Sequence, residues 1–246
     1  MITLIHDGSF EGLLTTIYEG FYSRETPDII CGIHEFTPNL LSTNINVITD
    51  LDKARKVSQA IKSKISSEAM RKINYAFLSE QESTGMIIFN YLKLAFKLGS
   101  KVDLYMNDDV VLAINKLEWK VKLESHRMLG FVRFKGIGDF FYSAIEPDNN
   151  VLSLISGHFA ARLGCECFIL HDLKREIAFF YNRGESGYAP LLKKESECFL
   201  RDDRDHFYAE LWREFYETIA IEGRKNPRQQ KNHMPVRYWK HLTEMK

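Results

Sequence analysis

Through most of the first half of this chain, apolar residues recur at three- and four-residue spacing, the period of an amphipathic helix. After a short apolar strand at Ile2–Ile5, Leu13, Ile17 and Phe21 share such a face, with Ser9 in capping position and Pro27 closing the segment. Asn46–Thr49 reads as extended, and Asp50 or Asp52 caps a helix over Leu51–Ser63. Further helices are predicted over Ser67–Leu78, over Gly85–Leu98 with Gly99 as its stop, and from Asn107 or Asp108 through Glu124. In the last of these, Val111, Ile114, Leu117, Trp119 and Val121 supply the apolar contacts.

Near the centre the period changes to two. Phe131–Lys135, a Gly-Ile-Gly-Asp turn and Phe140–Ile145 predict a hairpin. Val151–Leu163 follows as a helix, then Cys167–His171 and Ile177–Tyr181 predict a second hairpin about a turn at Asp172–Arg175. Strand–strand–helix–strand–strand reads as one four-stranded antiparallel sheet with a helix on one face. A long helix from Phe199 to Ile221 ends at Gly223. The expected class is α+β, with a helical N-terminal half, a central sheet, a C-terminal helix and a basic tail. As a domain plan this is a single two-lobed unit: 1–128 mainly helical, 129–223 sheet plus helix, 224–246 the tail.

Composition narrows the class without naming a reaction. A hydrophobic fraction of 45% and an aromatic fraction of 13% exclude a disordered chain. No apolar run is long enough to span a bilayer, and the first residues carry no secretory pattern, so a cytoplasmic protein without a membrane partner is expected. Cys31, Cys165, Cys167 and Cys198 lack metal-site spacing, so the expectation is reduced thiols, no metal and no cofactor.

Charge is unevenly placed. The formal net charge is zero, yet residues 224–246 carry seven cations against one acid, leaving the preceding 223 residues at −6. Among those cations stand Tyr238 and Trp239, and four amides precede them. Cations for phosphates, rings for bases and amides for hydrogen bonds are what a nucleic-acid surface needs. The candidate nucleic-acid-binding residues are Arg224, Lys225, Arg228, Lys231, Arg237, Tyr238, Trp239 and Lys240. The same segment also reads as a short helix docked on the acidic body by Val236, Tyr238, Trp239 and Leu242.

Four internal groups are candidates for chemistry. His6-Asp7-Gly8-Ser9 joins a strand to a helix N-terminus, which offers free N–H groups to an anion, although Asp7 and Ser9 are also ordinary capping residues. His158 and Arg162 lie four apart on one helical face, and His171-Asp172 ends the next strand. Together these four form the candidate catalytic group, for acid–base work or phosphate holding; against this stands a half-buried structural histidine and a simple hairpin turn. The strand at 131–135 would set Arg133 and Lys135 on one sheet face, as a nucleic-acid track or as an ordinary solvated face. Arg201-Asp-Asp-Arg-Asp205 offers Asp202, Asp203 or Asp205 to a divalent ion, but acids also suit a helix start.

Three segments together resemble a bacterial family of DNA-metabolism or DNA-repair proteins of unknown biochemical activity. They are D-G-S-F-E-G-L-L-T-T-I-Y-E at 7–19, H-F-A-A-R-L at 158–163 with F-I-L-H-D-L-K-R at 168–175, and M-P-V-R-Y-W-K-H-L-T-E at 234–244. The resemblance implies a role on DNA, since family members occur beside a radical-SAM repair protein or fused to a uracil-DNA-glycosylase-like domain. It implies no active site, and the chain has neither the radical-SAM cysteine triad nor the glycosylase loops. The expectation is a DNA-binding protein that acts with a partner repair enzyme, that is, with a radical-SAM repair protein or a uracil-DNA-glycosylase-like protein. The alternatives are a nucleotide- or DNA-processing hydrolase or glycosylase using the central His/Arg/Asp group with His6 and Asp7, and a protein–protein assembly module.

Overall fold

The computed structural model describes residues 1–38, 42–201 and 206–245. The chain divides into two compact units, 1–122 and 123–246.

The first unit combines a small parallel sheet with helices. Strand β1 (Ile2–His6) lies between β2 (Ile29–Gly32) and β3 (Thr43–Asn46), and both neighbours run parallel to it. Of the three, only β1 was expected; the extended segment read at Asn46–Thr49 meets β3 at Asn46 alone, so β3 itself was missed. The reason is edge position: all four β3 residues are exposed, so no apolar alternation marks the strand. Helix α1 (Phe10–Tyr22) connects β1 to β2, as a parallel pair requires a crossover. Helices α2 (Leu51–Lys64), α3 (Ser67–Phe77) and α4 (Thr84–Leu98) begin at Asp50, Ser66 and Ser83, and the first two of those side chains accept backbone N–H groups of the opening turn. Their apolar stripes meet Leu4 and Ile30 of the sheet in one core with Ile17, Ile61, Ile73, Ile88 and Leu92. Helix α4 approaches β2 so closely that a Cβ on Gly85 would lie 2.4 Å from the Ile30 carbonyl oxygen.

Helix α5 (Asp109–Phe131) is longer than its sequence suggests. The alternation at 131–135 predicted a strand with Arg133 and Lys135 on one basic face, and the structure corrects this. Buried positions Val121, Glu124 and Met128 continue the helical period into Phe131, so the helix persists and the strand shrinks to β4 (Lys135–Ile137). Trp119, expected among the apolar contacts, lies off that stripe and is exposed.

In the second unit, β4, β5 (Phe140–Ile145), β6 (Cys167–Asp172), β7 (Ile177–Asn182) and β8 (Glu185–Pro190) pair in that order. The expected four-stranded antiparallel sheet is therefore corrected to a five-stranded mixed one. Strands β5 and β6 are parallel, with Tyr142 opposite Ile169 and Ala144 opposite His171, because α6 (Leu152–Arg162) carries the chain back to the starting end. The fifth strand escaped notice because it is an exposed edge that closes on Pro190. Its two-residue turn, Arg183-Gly184, has positive φ at both positions, the conformation a tight hairpin favours.

Pleating sorts the sheet into two differently covered faces. Phe159 of α6 meets Phe134, which meets Phe168, and Ser156 bonds the Tyr188 hydroxyl, so α6 covers the face of Phe168 and Tyr188. The opposite face carries Tyr142, its ring tilted against that of Phe199 of the short helix α7 (Glu197–Arg201). After α7 come α8 (His206–Thr218), α9 (Pro227–His233) and a 3₁₀ segment at Val236–His241. The long helix expected over Phe199–Ile221 is thus represented by α7 and α8, and the acidic residues between them, Asp202, Asp203 and Asp205, lie outside the described residues.

Candidate nucleic-acid interface

The basic tail is two structures rather than one. Its first half is α9, started by Asn226, whose side-chain oxygen accepts the Gln229 N–H at 3.1 Å, with Pro227 pre-set in the first turn. Gln230 bonds the Tyr216 hydroxyl of α8 at 3.2 Å, and Arg127 donates to the Asn232 carbonyl at 3.1 Å. These contacts fix the helix while leaving its cations outward. Arg224, Lys225, Arg228 and Lys231 are all exposed. Among the described residues, no acid lies within ion-pair distance of Arg224, Arg228 or Lys231.

The second half turns inward at Pro235. Tyr238 and Leu242 are buried, and the Tyr238 ring packs against Phe131. The buried carboxylate of Glu124 organises this contact. It accepts the backbone N–H of Asp148 at 2.9 Å and of Asn149 at 2.7 Å, the Asn149 amide at 2.5 Å, and the Tyr238 hydroxyl. Arg237 donates to the Tyr238 hydroxyl at 2.7 Å and pairs with Asp148 at 3.1 Å. Burial, with Glu124 beside it, pushes the Tyr238 phenol well above its usual range. Lys240 pairs with Glu146, and Trp239 donates its ring N–H to the Met234 carbonyl. Glu244, the acid of this stretch, receives Arg133 at 2.6 Å and the Trp212 ring N–H at 3.0 Å. Burial alone would raise its carboxyl, but Arg133 and Trp212 hold it below the ordinary value.

The eight residues singled out in the tail therefore have different fates. Arg224, Lys225, Arg228 and Lys231 face solvent, whereas Arg237, Tyr238, Trp239 and Lys240 are tied to the body of the unit or to the tail itself. Sequence reasoning missed the residues that do the tying. Glu124 carried a readable signal: it is an acid on the apolar stripe of α5, and a buried carboxylate must find donors. Glu146 and Asp148 carried none.

The central candidate group is divided by the sheet. His158 and Arg162 are exposed on α6. His171 is fully buried on the opposite face, its Nδ1 2.9 Å from the Tyr142 hydroxyl. Burial lowers its pKa against the opposing effect of the Leu191 backbone, and Nε2 is sealed from solvent without a hydrogen bond of standard geometry. Asp172 is also fully buried and serves the turn. It accepts the Lys174 and Arg175 N–H groups and the Arg175 guanidinium at 2.8 Å, against a burial that raises its carboxyl. These four residues do not meet in one pocket.

His6 and Asp7, in the first unit, are likewise occupied locally. The Asp7 carboxylate accepts the Ser9 N–H and hydroxyl and the Thr49 hydroxyl, and these bonds lower its pKa. It thus occupies the anion position at the start of α1. The His6 ring, nearly buried, accepts the Gly8 N–H on Nδ1, and burial lowers its pKa. No cluster of three or more metal-ligating side chains occurs among the described residues. Among them, too, no helix is long and apolar enough to cross a membrane.

No curated protein matches the chain. A family model does, from just before α4 through the docked tail. That model describes a domain of unknown function, DUF4130, and it spans residues 82–244, about two thirds of the sequence; the chain belongs to this family.

Proposed function

We propose that this protein binds DNA through the displayed cations of the α9 region and works beside a repair enzyme that supplies the chemistry. The observation that carries this reading is the exposure of Arg224, Arg228 and Lys231 without an acidic partner among the described residues, whereas Arg133, Arg237 and Lys240 of the same unit are each paired with an acid. Cations held outward on a fixed helix can neutralise phosphates and release their counterions. Lys225 extends the same surface. Arg237, Tyr238, Trp239 and Lys240 serve the interface indirectly, by anchoring the segment that presents it. The resemblance of 234–244 to DNA-metabolism proteins points the same way. The separation of His158 and Arg162 from His171 by the sheet, with Asp172 taken up by its own turn, supports leaving the reaction to a partner, of the radical-SAM or uracil-DNA-glycosylase-like type that the resemblance implies.

The test is duplex-DNA affinity as a function of salt. Three phosphate contacts predict a log–log slope of roughly −2 to −3. The Arg228→Glu/Lys231→Glu variant should bind far more weakly and flatten that slope. Absence of binding at low salt, or binding indifferent to the charge reversal, would overturn the proposal.

A further inference from the structure

Helix α8 presents an apolar stripe that the described residues of its unit leave largely exposed. Phe207, Tyr208, Leu211, Phe215 and Ile219 are each 51–68% exposed, and Trp212 is 40% exposed. Their positions follow the helical period, so they form one face, with aromatic residues on three successive turns. Isolated exposed apolar residues are normal, but a continuous row of this size marks a binding surface.

The surroundings of the stripe are asymmetric. Helical geometry places Ala209, Arg213 and Tyr216, the partly covered residues, along one edge, and Tyr216 is where α9 is bonded. The cations of α9 therefore flank that edge, and Glu210, Glu214 and Glu217 fall on the other. Trp212 is already engaged at its rim, with the Arg133 guanidinium 5.5 Å above its ring and its N–H on Glu244. Phe207, Tyr208 and Phe215 have ring surface free for a ligand.

We infer that α8 and α9 form one platform for single-stranded nucleic acid, with phosphates along α9 and unstacked bases on Phe207, Tyr208 and Phe215. This inference rests on the DNA-binding reading above and specifies its substrate. The chemical reason is access. A duplex hides the faces of its bases, so it can use the cations but leaves the rings bare, whereas a single strand satisfies both. Aromatic stacking tolerates any base, so the platform should show little sequence preference.

The experiment compares an oligothymidylate of about 20 nucleotides with a duplex of equal length, using the full chain at low salt. The single strand should bind more tightly. Phe207→Ser and Phe215→Ser should each weaken it roughly 5- to 100-fold while leaving duplex binding unchanged. Both sites are exposed, and a thermal melt of each variant establishes that it folds. Arg228→Glu should weaken both ligands. Equal binding of both DNAs, unaffected by the two serine variants, would overturn the platform and leave the DNA-binding reading standing. Failure of both DNAs to bind would overturn that reading and the platform with it. A dimer that dissociates in the serine variants, with single-strand affinity unchanged, would overturn the platform by assigning the stripe to a second copy of the chain.

Discussion

Residues 224–233 and 234–245 resemble one another in sequence, both basic and both rich in amides or rings, yet one half is displayed and the other is docked. In the first, an asparagine cap and a first-turn proline build a short helix whose exposed side chains stay in water. In the second, Pro235 leads into a 3₁₀ segment that buries Tyr238 and Leu242 and sets Arg237 and Lys240 against acids. What separates them is the surface opposite. The second half meets Glu124, Glu146 and Asp148, and Glu244 reaches back to Arg133. Charge density alone cannot tell a ligand-binding cation from a structural one; the location of the acids does.

The strongest way to break this comparison is to remove its anchor. Glu124→Ala leaves two backbone N–H groups, an amide and the Tyr238 hydroxyl without their acceptor, and should cost about 2–4 kcal/mol. The urea unfolding midpoint checks this, and an unchanged midpoint would refute the role given to Glu124. A smaller effect is expected from Tyr238→Phe, which keeps the ring in place against Phe131 but removes the hydroxyl between Arg237 and Glu124. A loss of about 1–2 kcal/mol is expected, since Glu124 keeps its other donors.

Acid should loosen the docked half selectively. The folded Glu244 and Glu146 carboxyls lie below their ordinary values, so the stability they contribute is present above about pH 4.5 and is lost as pH falls through the folded values. For both, burial opposes the shift, and Arg133 or Lys240 outweighs it. A melting temperature that falls on acidification, and falls less in Arg133→Met, is the expected signature. The smallest effect sharpens the comparison from the other side. Arg228→Ala and Lys231→Ala should change stability by no more than about 0.5 kcal/mol, while each lowers the salt slope of DNA binding by about 1. A marked destabilisation by either would mean that the displayed half is structural as well.

Legibility differed in the same way across the fold. The helices of the first unit were readable because their stripes and caps are local, and Ser9 and Asp50 cap as their positions suggest. The second hairpin, β6 to β7, was readable from alternation around a turn. The direction of β5 relative to β6 was not, because α6 crosses between them and a strand's pattern looks alike in either orientation. Strand β8 was hidden by its exposure, although Arg183-Gly184 after Asn182 was a turn signal within reach. The pairing of His171 with His158 failed on parity: His171 is on the face with Tyr142, and α6 covers the other.

By itself the sequence determined the mixed α+β character, most helices, and the separation of an acidic body from a basic end, since these depend on residue spacing and composition. Only the tertiary structure decided which basic residues remain free. Tyr238 meets an acid 114 positions away and Arg133 one 111 positions away, and no local pattern records such partners. The desolvation that makes a buried carboxylate bind every donor in reach arises only once the chain has folded around it.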